Sequence, residues 1–172
     1  LSGVVESASI KVAGDQFNEA VVKYMRRKHN VLVGERTAEM LKIKIGCVFP
    51  KEEETSIDVK GRCLLTGLPK TLTITSTEML EAFEEPVERI LEAIHSVLER
   101  TPPELASDIM KNGIYLTGRA AQLYALDQYI ANELNIQVIL AKDPGDCTVL
   151  GLGYIVENLA LLAQQGRMPQ LN

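Results

Sequence analysis

Residues 115–124 read Y-L-T-G-R-A-A-Q-L-Y and contain a junction of the kind that holds nucleotides. A predicted apolar strand runs into Thr117 and Gly118, and a helix is predicted to start at once. In α/β proteins the free N–H groups and positive dipole end of such a helix bind phosphate, and glycine lets the ligand approach the backbone. The glycine is followed by Arg119 and Ala120 rather than by further glycines. A working nucleotide site, a lost one and a plain turn all stay open.

Other residue types that carry chemistry are scattered. Cys47, Cys63 and Cys147 lie far apart and outside any C-x-x-C pair, which favours free thiols in a reducing compartment over a disulfide framework. His29 and His95 stand alone, and His95 is predicted at the protein surface. Because a metal site needs a cluster of ligands, the sequence predicts none.

Composition narrows the class of protein. The chain has 172 residues, 46% of them hydrophobic, and a formal net charge of -5. This size suits one core or two small ones, and the acidic balance argues against nucleic acid as the main partner. No apolar run approaches the roughly 18 residues that span a bilayer. The first residues lack the basic and apolar regions of a signal peptide.

The first half of the chain predicts a mixed structure. Residues 1–14 read as a β-hairpin, and a helix opens at Gly14 with Asp15 as its N-cap. Its basic end, residues 26–29, is read as a solvated helix end, with a phosphate or partner contact as the alternative. A second helix is predicted over about 37–45, and strands over 56–60 and 70–75.

The second half predicts alternating strands and helices. Thr75 and Glu78 form a capping box before a long amphipathic helix, in which Pro86 is predicted to make a kink or a break. A short helix starts near Pro103 and ends before Gly113. The pattern then continues as a strand over 114–117, a helix over 120–134, a strand over 137–140 and a helix over 148–164. This alternation is typical of a βαβ unit with parallel pairing, so the prediction is an α/β layer from residues 1–14 and 76–172, with an inserted mixed α+β subdomain from residues 15–75.

Several stretches together resemble a known family. They are V-A-G-D (12–15), G-E-R-T-A-E (34–39), G-R-x-L-L-T-G-L-P-K-T (61–71), E-R-T-P-P-E-L-A-S-D-I (99–109), G-I-Y-L-T-G (113–118) and D-P-x-D-C (143–147). In one register over essentially the whole chain, they resemble the bacterial actin MreB and its Mbl-type branch. The resemblance is to the second half of that family.

The resemblance implies an actin-like, ribonuclease H-like fold. The family has two lobes with ATP or ADP and Mg2+ bound between them, and this chain looks like the second lobe, an inner α/β subdomain with a smaller one inserted. The family's Gly-Gly-Gly-Thr-Thr phosphate loop would lie just before Leu1, and the first lobe carries the second phosphate loop. We therefore expect no catalytic residue, no ATP hydrolysis by this chain alone, and doubtful nucleotide binding.

The resemblance also implies which residues line the adenosine. These are Glu39, Met40, Leu41 and Lys42, with Glu39 and Lys42 as the polar ones. A carboxylate can accept from ribose hydroxyls, and a lysine stem can cover one face of the base. Without the family, an i,i+3 surface ion pair is the better interpretation of Glu39 and Lys42.

The opening junction is the second part of the implied site. The family usually reads T-G-G-G-A at positions 117–121, where this chain keeps Gly118 and Ala121 but has Arg119 and Ala120. Side chains at these two positions narrow the approach to the backbone and add strain if either φ is positive. Weakened or altered binding is one hypothesis, and a tolerated substitution is the other. The loop at residues 143–144 is read equally as a plain turn or as part of a hinge between lobes.

Three functions follow. The first is a cytoskeletal subunit, polymerising with ATP at the inner face of the cell membrane in the cytoplasm, self-associating into filaments and guiding cell-wall synthesis and rod shape with membrane-associated partners. The second is an actin-fold ATPase or sugar-kinase relative. The third is a diverged interaction module that binds no nucleotide.

Overall fold

The computed structural model describes residues 3–159. A 3-10 turn, Arg119–Gln122, lies between the fourth strand and the fifth α-helix. The elements in chain order are α1 (Gly14–His29), β1 (Val31–Leu32), α2 (Glu35–Ile45), β2 (Ser56–Cys63), β3 (Pro69–Thr75), α3 (Ser76–Arg100), α4 (Pro103–Asn112), β4 (Ile114–Leu116), α5 (Leu126–Leu134), β5 (Val138–Leu140) and α6 (Cys147–Glu157).

The strands form two separate sheets. One is antiparallel in the order β1-β2-β3, with Ile57 opposite Ile74 and Val59 opposite Leu72. The other pairs β4 with β5 in parallel, across α5, which confirms the predicted βαβ unit. The predicted mixed α/β architecture is therefore present. β1 was missed because two residues give no periodicity.

Aliphatic residues from several helices and the larger sheet share one core. Phe17 of α1 meets Phe83 of α3 edge to face, with ring centroids 5.1 Å apart, a geometry worth about 1 kcal/mol beyond the buried area. Leu41, Ile74 and Ile130 are fully buried in the same cluster. Because this core draws on residues from both sides of position 76, the proposed subdomain division stays a prediction.

The predicted capping box at the start of α3 is confirmed. The backbone N–H of Thr75 donates to Oε2 of Glu78 (3.0 Å), and the N–H of Glu78 donates to Oγ1 of Thr75 (3.4 Å). Pro86 was predicted to make a kink or a break, and the break is absent, since α3 runs continuously through it. Pro86 is buried beside Phe83 and Val87, so core packing on both sides offsets the missing helical hydrogen bond.

Two predictions at the start of the chain were wrong. Residues 3–13 form no strand, and the side chains of residues 3–10 are exposed, so the hairpin is absent from this part of the structure. Helix α1 is capped at Ala13, whose N–H donates to Oε1 of Gln16 (2.9 Å). Asp15 lies inside the first turn, where its charge still suits the dipole.

The helix predicted over 120–134 is also corrected. The α-helical part begins only at Leu126, because Ala125 adopts a left-handed conformation (φ 62°) that a regular helix excludes. The final predicted helix begins at Cys147, and its last predicted residues, 160–164, lie outside the described part of the chain. No helix within residues 3–159 has the length and apolarity needed to cross a membrane.

The three thiols are free and differ in their surroundings. Burial raises the pKa of the Cys47 thiol. Hydrogen bonds from Thr66, through its side chain and its backbone, lower the pKa of the Cys63 thiol. Cys63 lies at the end of β2, beside the exposed side chains of Leu64 and Leu65 in the turn to β3.

Candidate functional site

The first candidate region joins the start of α1 to the middle of α2. We call Gly14, Asn18, Glu39 and Lys42 the α1–α2 cradle. Nζ of Lys42 donates to the carbonyl oxygen of Gly14 (3.1 Å) and lies 3.8 Å from Oε1 of Glu39. The Lys42 side chain is 16% exposed, against 53% for Glu39. The predicted i,i+3 pair exists, but its lysine is folded against α1 rather than extended into solvent.

Asn18 is the buried member of the cradle and contacts Glu39. Its Nδ2 donates to Oε2 of Glu39 (3.4 Å), and the residue is only 3% exposed. No donor among residues 3–159 reaches its Oδ1. A buried amide with an unsatisfied oxygen costs stability, so Asn18 holds the Glu39 carboxylate at some cost to the fold. Sequence reasoning missed Asn18, because a polar residue on a helix gives no signal of burial.

The other two predicted adenosine residues differ from Glu39 and Lys42. Leu41 is fully buried in the core, and Met40 is partly buried against it. Their side chains therefore fix the position of α2. Of these four residues, only Glu39 and Lys42 carry charged side chains.

The second candidate region is the 118–121 turn, the residues Gly118 to Ala121. Gly118 has φ 86° and ψ 162°, a conformation that essentially only glycine adopts. Space beside its Cα is open, since a Cβ there would meet nothing within 4 Å. Its N–H donates to the carbonyl oxygen of Pro144 (2.6 Å), and Ala121 N–H donates back to the Gly118 carbonyl oxygen (3.2 Å).

The condition for strain at Arg119 and Ala120, a positive φ, is not met. Both are exposed and lie in the 3-10 turn, and neither belongs to the described non-glycine residues with positive φ. Cγ of Arg119 lies 3.2 Å from the position a Cβ on Gly145 would take. The arginine stem therefore runs over the loop before α6, and the remaining effect of the two side chains is the space they occupy.

The α-helix that was predicted to start directly after Gly118 is not formed there. The Gly118 N–H is already bonded to Pro144, and the α-helix that follows begins only at Leu126. A helix dipole therefore does not end at this glycine. What the turn offers is an open glycine surface with an arginine beside it.

The Asp143–Pro144 loop forms a turn. Asp143 has φ 49°, and the N–H of Asp146 donates to the Asp143 carbonyl oxygen (2.9 Å). Its role as a hinge stays a prediction.

The segments that follow the α1–α2 cradle and the 118–121 turn are in contact. Val48, after α2, donates its N–H to the carbonyl oxygen of Tyr124 (3.1 Å), and Nζ of Lys51 lies 5.1 Å from the Tyr124 ring centroid. Within residues 3–159, no hydrogen bond or ion pair connects the cradle to the 118–121 turn. The same residues contain no cluster of three or more His, Cys, Asp or Glu that could hold a metal ion.

A polar cluster joins the end of α1 to the start of α3. Nε2 of His29 and Oε1 of Glu78 are 2.5 Å apart, and the Tyr24 hydroxyl donates to Oε2 of Glu81 (2.7 Å). Burial, followed by Glu81, raises the pKa of Tyr24 above its usual range, while the Tyr24 hydrogen bond lowers the pKa of Glu81. His29 is therefore not the solvated helix end predicted, and Lys28 lies 3.6 Å from Glu81.

Sequence and structure comparisons place the chain among known proteins. Residues 1–164 match the family described as MreB/Mbl protein. The cell shape-determining protein Mbl of Bacillus subtilis (strain 168) is 43% identical over 165 residues, which are 96% of this chain and 50% of that protein. The cell shape-determining protein MreB of Escherichia coli (strain K12) is 45% identical over 157 residues, 91% of this chain and 45% of that protein. The chain thus spans about half the length of these relatives.

Solved structures agree with this assignment. MreB 5 of Spiroplasma citri bound to AMPPNP superposes with a TM-score of 0.90 at 34% identity, over 95% of this chain and 49% of that chain. The MamK double helical filament gives 0.65 at 20% identity, over 79% and 42%, and this supports the fold alone. From the matched residues and these identities, the chain belongs to the MreB/Mbl family.

Proposed function

We propose that this chain is the adenosine-contacting lobe of a cytoskeletal filament subunit that polymerises with ATP and guides cell-wall synthesis and rod shape. The observation that carries the proposal is the α1–α2 cradle. In it a buried amide and a folded lysine hold one carboxylate at the surface.

The cradle suits the adenosine end of a nucleotide. Glu39 keeps about half of its side chain exposed, so its carboxylate can accept from ribose hydroxyls. The aliphatic stem of Lys42 can cover one face of the base while its Nζ stays on Gly14. Two structures of one relative support this ligand, since MreB5 of Spiroplasma citri has been crystallised with AMPPNP and with ADP.

The metal and the hydrolytic step belong elsewhere in the parent protein. Within residues 3–159 there is no carboxylate cluster for Mg2+, and phosphoryl transfer depends on such metal and phosphate contacts. We therefore expect ATP turnover by the chain alone to equal that of a heat-killed control.

Family membership supports a proposal for the location and partners of the parent protein. We place the parent protein in the cytoplasm at the inner face of the membrane, where it associates with itself and with membrane-associated cell-wall synthesis proteins. Helix α6 supports association through this lobe, since it has no buried residue and exposes Val149, Leu150 and Tyr154. Apolar patches of this kind mark contact surfaces.

A fluorescent ATP analogue tests the nucleotide part. The chain is titrated beside Lys42→Ala, with Lys44→Ala, an exposed lysine of the same helix, as the matched control. We expect Lys42→Ala to weaken binding about tenfold, equivalent to about 1.4 kcal/mol, and Lys44→Ala to leave the Kd unchanged. Equal affinities for the two variants would contradict the cradle.

The double variant Arg119→Gly, Ala120→Gly decides the role of the 118–121 turn. Binding equal to that of the unmodified chain means that the two side chains are tolerated, as their relaxed backbone indicates. Binding by the double variant alone would show that Arg119 and Ala120 block the ligand. That result would favour the alternative, a diverged interaction module without nucleotide.

A further inference from the structure

A cavity of about 380 Å³ lies between α3 and the segment that follows α2. We call it the α3 groove. Its floor includes Val48, Phe83 and Val87, which are buried, and its edge includes Phe49, which is 40% exposed. Tyr129 of α5 closes one side. The α3 groove contains none of the cradle or turn residues.

Carboxylates surround this apolar floor. Glu81 and Glu84 line the groove directly. Burial raises the pKa of Tyr129, and after burial the nearby carboxylates of Glu133, Glu88 and Glu84 raise it further. Glu88 and Glu133 therefore add negative charge close to Tyr129, which lines one side of the groove. Helix α3 as a whole is also negatively charged, with seven glutamates and two arginines.

The nearby cations do not neutralise the rim. Lys28 lies 3.6 Å from Glu81, and both side chains are at least half exposed, so the pair contributes little. Lys51 stands over the Tyr124 ring, 5.1 Å from its centroid. The groove therefore combines an apolar floor with a negative edge.

These properties select one kind of occupant. A groove with exposed aromatic and aliphatic walls fits the apolar face of an amphipathic helix, and a negative rim selects basic residues beside that face. A nucleic acid would be repelled by the carboxylates. A second copy of this chain carries a net charge of -5, so like charges oppose self-docking here.

We propose that the α3 groove docks an amphipathic helix of a partner protein, with an aromatic or aliphatic anchor over Phe49 and Val87 and with Lys or Arg facing Glu84 and Glu88. The proposal goes beyond the filament function. It needs no nucleotide and no polymerisation, so it stands or falls separately from the cradle.

Fluorescence anisotropy with a defined probe tests the groove. The probe is an 18-residue labelled peptide with Leu and Phe along one helical face and Lys on the flanks, compared with a scrambled peptide of equal composition. A third peptide replaces every Lys with Glu. We expect the full chain to bind the first peptide at least tenfold more tightly than the other two, and to lose affinity with added salt.

Two variants and two matched controls locate the binding. The double variant Glu84→Lys, Glu88→Lys reverses two negative charges at the rim of the groove. The control double variant Glu99→Lys, Asp108→Lys reverses two exposed negative charges away from the groove. Phe49→Ser removes the anchor contact, and Leu65→Ser removes an exposed apolar side chain of the β2–β3 turn. We expect each groove variant to weaken binding about tenfold and each control to change it less than twofold.

Three results would overturn the proposal. One is equal binding of the helical and scrambled peptides. Another is an equal loss in the rim variant and its control. The third is a dimer in sedimentation velocity that Phe49→Ser dissociates, because the groove would then be covered by a second copy. All five proteins, the unmodified chain and its four variants, are first checked by circular dichroism, and the Leu65 and Phe49 variants must unfold at similar urea concentrations.

Discussion

The cradle and the 118–121 turn are built in opposite ways. The cradle is held by side chains 21 and 28 residues apart in sequence, Asn18 on Glu39 and Lys42 on Gly14, and its supporting residues are largely buried. The turn is held by backbone hydrogen bonds, and Arg119 and Ala120 at its centre are exposed. Substitutions should therefore be costly in the cradle and mild in most of the turn.

The two regions also differ in what their backbones require. Glu39 and Lys42 make contacts that reach helix α1. Arg119 and Ala120 do not belong to the described residues with positive φ, so their backbone does not require glycine. Within the turn, only Gly118 has a conformation that essentially requires glycine.

The largest expected effect is at the base of the cradle. Asn18→Asp would place a carboxylate, almost fully buried, beside the carboxylate of Glu39. Burial and the like charge raise the folded-state pKa of this aspartate above its unfolded value. The loss of stability is therefore absent well below the unfolded pKa and grows as pH rises towards the folded pKa.

We expect the free energy of unfolding to fall by about 3 kcal/mol at pH 8 and by clearly less at pH 5, as measured by urea denaturation. Asn132→Asp, an exposed site in α5, is the control. A loss that does not change with pH, or an equal loss in the control, would show that position 18 is not buried against Glu39.

The next effect is in the turn and concerns its glycine. Gly118→Ala forces a Cβ onto a backbone at φ 86° and ψ 162°, at a cost of about 2 kcal/mol. Gly151→Ala, also in open space but inside α6, should leave stability unchanged or raise it. Thermal unfolding of both variants measures the difference in their stability. Similar melting temperatures would show that the backbone at Gly118 does not require glycine.

A smaller effect tests the lysine of the cradle. Lys42→Ala removes the bond to the Gly14 carbonyl oxygen, and we expect a loss of about 1.5 kcal/mol in the free energy of unfolding. Lys44→Ala should change it by less than about 0.5 kcal/mol. Chemical denaturation distinguishes the two, and a Lys42 effect as small as that of Lys44 would make the pair an ordinary surface contact.

The smallest effect contrasts two alanines. Ala120→Gly adds backbone freedom at a position without strain and should lower the free energy of unfolding by about 0.5 kcal/mol or less. Ala125→Gly releases a left-handed alanine (φ 62°) and should stabilise the chain by about 1 kcal/mol. Melting temperatures that shift in the same direction for both variants would contradict the assigned backbone conformations.

Periodic and capping signals predicted most of the elements. The capping box at Thr75 and the parallel pair of β4 and β5 are as predicted, because each depends on residues close in sequence or on alternation of whole elements. Of the kink or break predicted at Pro86, the break does not occur, because the helix is held on both sides of Pro86 by core packing from residues distant in sequence. The interruption of the predicted helix at Ala125 could not be predicted from sequence, because alanine favours helix. Only the tertiary structure places this residue in a left-handed conformation.

The candidate site was predicted unevenly for the same reason. Family resemblance pointed to Glu39 and Lys42, and the i,i+3 spacing foretold their pairing. Neither indicated that Lys42 folds onto Gly14 or that Asn18 lies beneath, since both contacts join separate helices. The glycine argument made strain at Arg119 conditional on a positive φ, which sequence does not give and which Arg119 does not have.

The contrast between the Cys47 and Cys63 thiols provides a built-in reporter. Because the thiolate is the reactive form, a maleimide dye at neutral pH should attach to Cys63 and leave the buried Cys47 untouched, once Cys147 is replaced by serine. The dye would then stand at the β2–β3 turn, outside the cradle, the 118–121 turn and the α3 groove. Its fluorescence intensity and anisotropy could report assembly in real time, because the label contacts none of these three regions.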